Sequence, residues 1–175
     1  PAAQAAKPAL LNIVDGYYKK DLNMQFDAIT MSFLTTDVFS TTTDSSAFLT
    51  DIQNKKNGGQ IPLLVTNNRA LFHVITGRSF DGNVVGLGAV GSLCQAADNA
   101  STSQYTNSIA VTALIVAHEL GHNFGASHDG SPGNTCPATG FIMAPQVSSS
   151  VTHFSSCSIK EIGDSISKVA NPALC

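Results

Sequence analysis

Charged residues are scarce in this sequence. Lysine, arginine, aspartate and glutamate make up 12% of its 175 residues, and the net charge at pH 7 is −3. A protein that binds nucleic acid needs a basic patch or stripe, and the sequence contains no such cluster. The low charge therefore argues against nucleic acid as a partner, and the length favours a single domain.

Long apolar runs are also missing. The longest ones, such as residues 113–117, fall far short of the ~20 residues that a membrane-spanning helix requires. The first residues, PAAQAAKPAL, lack a basic segment followed by an apolar core. We therefore expect no membrane span, and we expect any signal peptide to have been removed or to lie upstream.

Cysteine pairs with metal-binding spacing are absent. The four cysteines form no Cys-x-x-Cys pair and stand far apart, at Cys94, Cys136, Cys157 and Cys175. An even count without such spacing favours disulfide bonds in an oxidising compartment, and three pairings are possible. The triplet that begins at Asn99 fits an N-glycosylation acceptor and gives weak support for secretion.

The strongest signal is the stretch HELGHNFGASHD at residues 118–129, which holds three of the five histidines. Residues 110–117 contain neither glycine nor proline, so His118 and His122 should lie four apart on one face of a helix. Gly125 can end that helix in the left-handed conformation, so that His128 supplies a third imidazole. Three protein ligands leave one position open, which is typical of catalytic zinc.

Glu119 follows the first histidine and can reach a water molecule on the metal without occupying a coordination position. We therefore predict that it is the general base. The alternative is an ordinary amphipathic helix, because a bare His-Glu-x-x-His sequence arises by chance in many chains. Six specified positions with a helix breaker in the right place seldom coincide by accident, so the extended pattern favours a zinc site.

This extended pattern resembles that of the metzincin zinc endopeptidases. An aspartate directly after the third histidine, here Asp129, resembles the pattern of the adamalysin or reprolysin branch. This branch comprises the catalytic domains of snake-venom metalloproteases and ADAM proteases. GFIMAP, with Met143 fifteen residues after His128, resembles the metzincin Met-turn, and FSSCS at residues 154–158 resembles the segment after it. Residues 71–94 are similar to the reprolysin strand, loop and edge strand.

The resemblance implies an α/β fold of the α+β zincin kind, with a twisted mixed β-sheet, a long active-site helix and a small loop-rich C-terminal subdomain. Residues 1–175 would form a single metalloprotease catalytic domain. Its upper subdomain, 1–129, would carry the zinc-binding helix, and its lower subdomain, 130–175, would carry the Met-turn. Gly125, Asp129 and Met143 would support the site.

The resemblance also implies partners and cofactors. One catalytic zinc ion would be bound, and protein or peptide substrates would lie extended in the cleft, along Leu87, Gly88 and Ala89. Calcium stays open, because members that bind it use an acidic residue where this sequence has Ala70. The protein would be secreted, extracellular and monomeric. Its disulfide bonds would join Cys94 to Cys175 and Cys136 to Cys157.

Hydrophobic periodicity predicts the regular elements. Helices are expected at residues 2–20, 47–55 and 159–169. Short apolar runs predict strands at residues 26–34, 61–65 and 71–76. His73 lies in the last of these strands with no second ligand at useful spacing, so we interpret it as an ordinary strand histidine.

The segment VVGLGAVGSL at residues 84–93 contains Gly86, Gly88 and Gly91. Interior glycines weaken a strand but let another backbone approach closely. The segment is either a poorly formed glycine loop or an exposed edge strand along which a peptide pairs through main-chain hydrogen bonds. Resemblance to the reprolysins favours the edge strand.

We therefore predict a secreted zinc endopeptidase of the reprolysin type, in which Glu119 acts on a zinc-activated water. The alternative is a catalytically idle metzincin-like module that binds proteins through the cleft. Retention of Glu119 and of all three histidines argues against it, since an idle site needs none of them. Asp129 and the cysteine positions disfavour a different metzincin branch.

Overall fold

Two helices precede the sheet. The computed structural model describes residues 2–26, 29–61 and 70–169, with side chains from Pro8 onward. Helix α1 spans Ala2–Leu22. Helix α2 spans Ser45–Asn57, begins where Asp44 accepts a hydrogen bond from the backbone N–H of Ala47, and ends at Gly58. Both helices confirm the predictions from periodicity.

Three strands form a mixed sheet. They are β1 (Phe72–Thr76), β2 (Gly86–Gly88) and β3 (Ala100–Gln104), in the spatial order β1-β3-β2. Strand β1 runs parallel to β3, and β2 runs antiparallel to it. A 3-10 turn, Asp81–Asn83, lies between β1 and β2. The strand predicted at 71–76 is confirmed, and Gly86–Gly88 of the glycine segment form an edge strand of this sheet. Pairing of this strand with a peptide stays a prediction.

Helices cover both faces of the sheet. Helix α3, Ile109–Asn123, begins at Ser108, whose side chain accepts a hydrogen bond from the backbone N–H of Val111. It packs between α1 and the sheet and is buried along most of its length. Alternate strand residues point to opposite sides of a sheet. Helix α2 packs its Phe48 and Ile52 against the strand residues that point away from α3, among them Phe72 and Val74. The arrangement confirms an α+β fold.

Helix α1 holds α3 just before the first predicted ligand. The buried hydroxyl of Tyr18 donates a 2.8 Å hydrogen bond to the carbonyl oxygen of Ala117. The Tyr18 ring lies 5.0 Å from that of Phe154 and 5.4 Å from that of Phe124, measured between centroids. This aromatic cluster joins α1, the end of α3 and the C-terminal segment in one apolar core.

Two strand predictions differ from the structure. Residues 29–34 form no strand, so that prediction is wrong for the described part of 26–34. Periodicity shows which side chains can share a face, but it does not decide whether the backbone joins a sheet. The strand predicted at 61–65 falls almost entirely on residues 62–69, which lie outside the described residues.

The C-terminal part is built mainly from loops. Residues 124–155 contain no helix or strand. Helix α4, Ser156–Ser167, is capped by Ser155 and begins three residues before the predicted start at 159. A disulfide bond joins Cys136 to Cys157, with the Cα atoms 6.0 Å apart. Cys94 is also disulfide-bonded, and its predicted partner Cys175 lies outside the described residues.

Burial argues against a glycan at Asn99. The residue is 2% exposed, and its side chain donates a hydrogen bond to the carbonyl oxygen of Ala70 and accepts one from the ammonium group of Lys56. A glycan on this amide nitrogen would have to break these contacts. The structure therefore adds no support for secretion from this glycosylation triplet.

Across residues 2–26, 29–61 and 70–169, no helix is both long and apolar enough to cross a membrane.

Candidate metal centre

The three predicted ligands meet at one place. Helix α3 ends in a Schellman motif, in which the N–H groups of Gly125 and Ala126 donate to the carbonyl oxygens of His122 and Gly121. Gly125 has a φ of 104°, which confirms the predicted left-handed helix end. The chain then turns back, and Nε2 of His128 lies 3.1 Å from Nε2 of both His118 and His122.

Backbone carbonyls determine which nitrogen of each α3 histidine faces the cluster. Nδ1 of His118 lies 2.6 Å from the carbonyl oxygen of Ile142, and Nδ1 of His122 lies 2.8 Å from that of Ala126. Because a carbonyl oxygen only accepts, each Nδ1 must carry the proton. Each Nε2 therefore presents a lone pair to the cluster, as a metal ligand must.

Burial keeps these imidazoles neutral. It lowers the pKa of His118 to about 3 and that of His122 to about 4. Burial also lowers the pKa of His128, which is only partly buried. Metal binding requires unprotonated nitrogen, so near pH 7 the side chains on α3 need lose no proton to bind an ion.

This donor set fits zinc. Nitrogen ligands at about 2.0–2.1 Å from a tetrahedral zinc ion lie about 3.4 Å from one another. The Nε2 separations of 3.1 Å are close to that value. With the proton of His128 on Nδ1, all three Nε2 lone pairs would be available to an ion between them. In the described part of the chain, these histidines are the only group of three or more side chains that could hold a metal ion.

Glu119 lies beside the cluster and is almost fully buried. Burial raises the pKa of its carboxyl to about 8. A cation bound by the neighbouring histidines would lower that pKa, because an opposite charge favours the ionised form. No described residue donates a hydrogen bond to this carboxylate, so its oxygens can receive a proton from a bound molecule.

Two glycines of β2 give α3 its close approach. A Cβ on Gly86 would lie 2.5 Å from Oε1 of Glu119, and a Cβ on Gly88 would lie 2.6 Å from the carbonyl oxygen of Glu119. Sequence reasoning noticed these glycines but did not connect them with Glu119. The lack of a side chain at these two glycines lets α3, which carries His118 and His122, pack closely against β2.

The ladder of β2 decides which of its backbone groups face outward. The N–H of Gln104 donates to the carbonyl oxygen of Val85, and the register pairs Leu87 with Thr102. In an antiparallel ladder, hydrogen-bonded pairs alternate with non-bonded pairs. The backbone groups of Leu87 therefore point to β3, while those of Gly86 and Gly88 point to the open edge.

Asn123 ends this ladder. Its side-chain amide nitrogen donates to the carbonyl oxygens of Ala89 and Ala100, at 3.1 Å and 3.3 Å, and so lies between the diverging strands. The Ala89 carbonyl also accepts from the Ser92 hydroxyl. Of the residues predicted to contact substrate, Gly88 has open backbone groups, whereas the Ala89 carbonyl is already bonded within the protein.

Two of the predicted supporting residues, Asp129 and Met143, contact each other and the elements around the histidines. The backbone N–H of Asp129 donates to the carbonyl oxygen of Met143, and its Oδ1 accepts from the hydroxyls of Ser155 and Ser158 at the start of α4. Met143 is fully buried, and a Cβ on Gly121 would lie 2.5 Å from its sulfur. Glycine inside a helix usually has a packing reason, and that was the available signal for Gly121.

Comparisons with known proteins agree with this geometry. Residues 2–155 match a reprolysin model described as metallo-peptidase family M12. Over 89 residues the chain is 38% identical to zinc metalloproteinase-disintegrin-like BmMP from Bungarus multicinctus. It is 35% identical over the same length to snake venom metalloproteinase-disintegrin-like mocarhagin from Naja mossambica. Each alignment covers 50% of this chain and 14% of the relative, so the chain spans a small part of these relatives' length.

Proposed function

Because this chain belongs to metallopeptidase family M12, we propose that it is a secreted zinc endopeptidase that cleaves peptide bonds in proteins. One observation carries the proposal. The Nε2 atoms of His118, His122 and His128 converge, and backbone carbonyls hold the proton of both α3 histidines on the opposite nitrogen. This arrangement presents three neutral donors from one side and leaves further coordination positions for reactants.

Glu119 moves the proton in the proposed reaction. When bound, zinc supplies a Lewis acid that lowers the pKa of a water molecule to about 7 and polarises the scissile carbonyl. The Glu119 carboxylate accepts a proton from the attacking water as the oxygen–carbon bond forms. The same oxygen then delivers the proton to the leaving nitrogen as the carbon–nitrogen bond breaks.

We propose that the substrate lies extended along β2. The outward backbone groups of Gly86 and Gly88 would pair with it as a further strand. The cleft would separate an upper subdomain, 1–129, from a lower one, 130–175. The lower subdomain would support the site through Met143 and through the contact of Asp129 with α4.

Secretion and a monomeric state complete the proposal. The Cys136–Cys157 bond fits an oxidising compartment. The name of one relative, snake venom metalloproteinase-disintegrin-like mocarhagin, places that protein in venom. A second bond from Cys94 to Cys175 is part of the same proposal, as is the absence of any required partner subunit.

Zinc removal should stop the activity, and this tests the proposal. We expect the purified protein to contain stoichiometric zinc and to cleave casein, because three imidazoles and an open position suit this ion. Exhaustive chelation should abolish cleavage, and added zinc should restore it. Metal analysis by mass spectrometry accompanies each assay. Full cleavage by a metal-free protein would contradict the mechanism, and zinc binding without cleavage would favour an idle binding module.

Gly86→Ala should lower kcat by about 10-fold to 100-fold, because small displacements of a catalytic group have effects of this size. The new methyl group would overlap the Glu119 carboxylate, which can move aside because it ends a flexible side chain. Zinc content and melting temperature should stay near those of the unmodified protein. Gly77→Ala is the matched control, since a Cβ there meets no atom within 4 Å. Equal kcat values for both variants would refute the steric role of Gly86.

A further inference from the structure

Helix α4 contacts alternate residues of the loop that carries the third histidine. A Cβ on Gly125 would lie 2.6 Å from Cβ of Ser165. The carboxylate of Glu161 accepts hydrogen bonds from the backbone N–H and the hydroxyl of Ser127, at 2.7 Å and 2.9 Å. Ser158 donates to Asp129. One face of α4 therefore follows the loop on both sides of His128.

His128 itself has the weakest orientation of the three histidines. Nδ1 of His118 and of His122 each bond a backbone carbonyl, whereas no described residue bonds Nδ1 of His128. It is also partly exposed, while the other two are buried. Without such a bond, the position of its ring depends on the backbone on either side of it.

Glu161 joins two segments next to this histidine. Besides Ser127, directly before His128, its carboxylate accepts a 3.3 Å hydrogen bond from the side-chain amide of Asn134. Asn134 in turn accepts a hydrogen bond at its side-chain oxygen from the backbone N–H of Cys136, and Cys136 is tied to α4 by its disulfide bond. One half-buried carboxylate thus fastens the chain before and after the third ligand.

We propose that Glu161 is a positioning residue, which holds the Ser127–Asp129 backbone so that Nε2 of His128 completes the zinc site. This inference rests on the proposed function, because it takes the three histidines as the ligands. Glu161 contacts neither the ion nor the substrate. Its effect should therefore appear in zinc affinity and in the rate of zinc release, before any effect on chemistry.

The test measures zinc affinity directly. Apoprotein is titrated with zinc against a competing chelator of known affinity, for the unmodified protein and for Glu161→Ala, Glu161→Gln and Asp164→Asn. Removing a group that orients a ligand typically weakens metal binding by about 10-fold to 100-fold, which we expect for Glu161→Ala. Glutamine keeps an oxygen that accepts from Ser127, so Glu161→Gln should retain part of the affinity.

Asp164→Asn is the matched control. Asp164 lies on the same helix and pairs with Lys160 on the exposed surface, at 2.5 Å, where ion pairs contribute little. Its zinc affinity should stay within about twofold of that of the unmodified protein. Circular dichroism and thermal unfolding of each apoprotein show whether a variant is folded. If Glu161→Ala does not fold, Ser127→Ala decides, since it removes only the hydroxyl contact and should still accelerate zinc release.

The outcomes separate the two proposals. A folded Glu161→Ala protein with unchanged zinc affinity and release rate overturns the positioning role, and so does an unchanged release rate in Ser127→Ala where that variant decides. An unmodified protein that binds zinc but cleaves no protein overturns the proposed function alone. An unmodified protein that binds no zinc overturns both.

Discussion

Glu119→Gln should lower kcat by about 10²-fold to 10⁴-fold while zinc stays bound. Glutamine keeps the size and hydrogen-bonding capacity of the side chain but cannot accept the proton of the attacking water. The loss should fall on kcat and leave KM nearly unchanged, because the substrate contacts that we propose lie on β2. Steady-state kinetics with a peptide substrate, together with zinc analysis of the same sample, measure both quantities.

The surroundings of Glu119 make this substitution a clean one. The carboxylate receives no hydrogen bond from the described residues, so glutamine breaks no internal contact. It is packed against Gly86, where an isosteric amide fits the same space. Melting temperature should therefore change little. Near-normal proteolysis by the zinc-loaded variant would mean that a different group is the general base.

His122→Ala should abolish zinc retention and, with it, proteolysis. Two imidazoles remain, and one of them, His128, is only partly buried and lacks a hydrogen bond at Nδ1 from any described residue. His122 also links α3 to the loop through its 2.8 Å contact with the carbonyl oxygen of Ala126. We expect zinc to be lost on dialysis and cleavage to fall to background.

His153→Ala is the control for this experiment. His153 is exposed, and its ring lies 5.2 Å from that of Phe141, away from any contact with the three histidines. Its removal should leave zinc content unchanged. Zinc retained by His122→Ala, or lost equally by both variants, would contradict the assignment of His122 as a ligand. Circular dichroism distinguishes metal loss from unfolding.

Strand β3 shows where sequence patterning stops being informative. Its sequence, Ala-Ser-Thr-Ser-Gln, has no apolar alternation and was not predicted as a strand, yet it is the central strand and four of its five residues are buried. Hydrogen bonds stabilise two of its small polar side chains: the hydroxyl of Ser101 bonds Nδ1 of His73, and that of Thr102 donates to the carbonyl oxygen of Val74. Such a strand is defined by its neighbours, β1 and β2 on either side and α3 packed against it.

Residues 29–34 show the opposite case. Their alternation resembles that of a half-buried strand, but periodicity describes only which side chains can share a face. Tertiary contacts decide which segments join a sheet, and the sheet of the described residues consists of β1, β2 and β3. An alternating pattern can thus occur without a strand, just as β3 is a strand without an alternating pattern.

The sequence by itself determined the helix that carries His118 and His122, the turn at Gly125 and the convergence of His128 on the other two. Helical spacing and the conformational freedom of glycine act between near neighbours, so these features can be predicted from a short stretch. Tertiary structure decided the order of the strands, the contact of Glu119 with Gly86, and the hydrogen bonds between Ser127 and Glu161. Those contacts join residues 33 or more positions apart, where chain folding rather than local periodicity determines which groups meet.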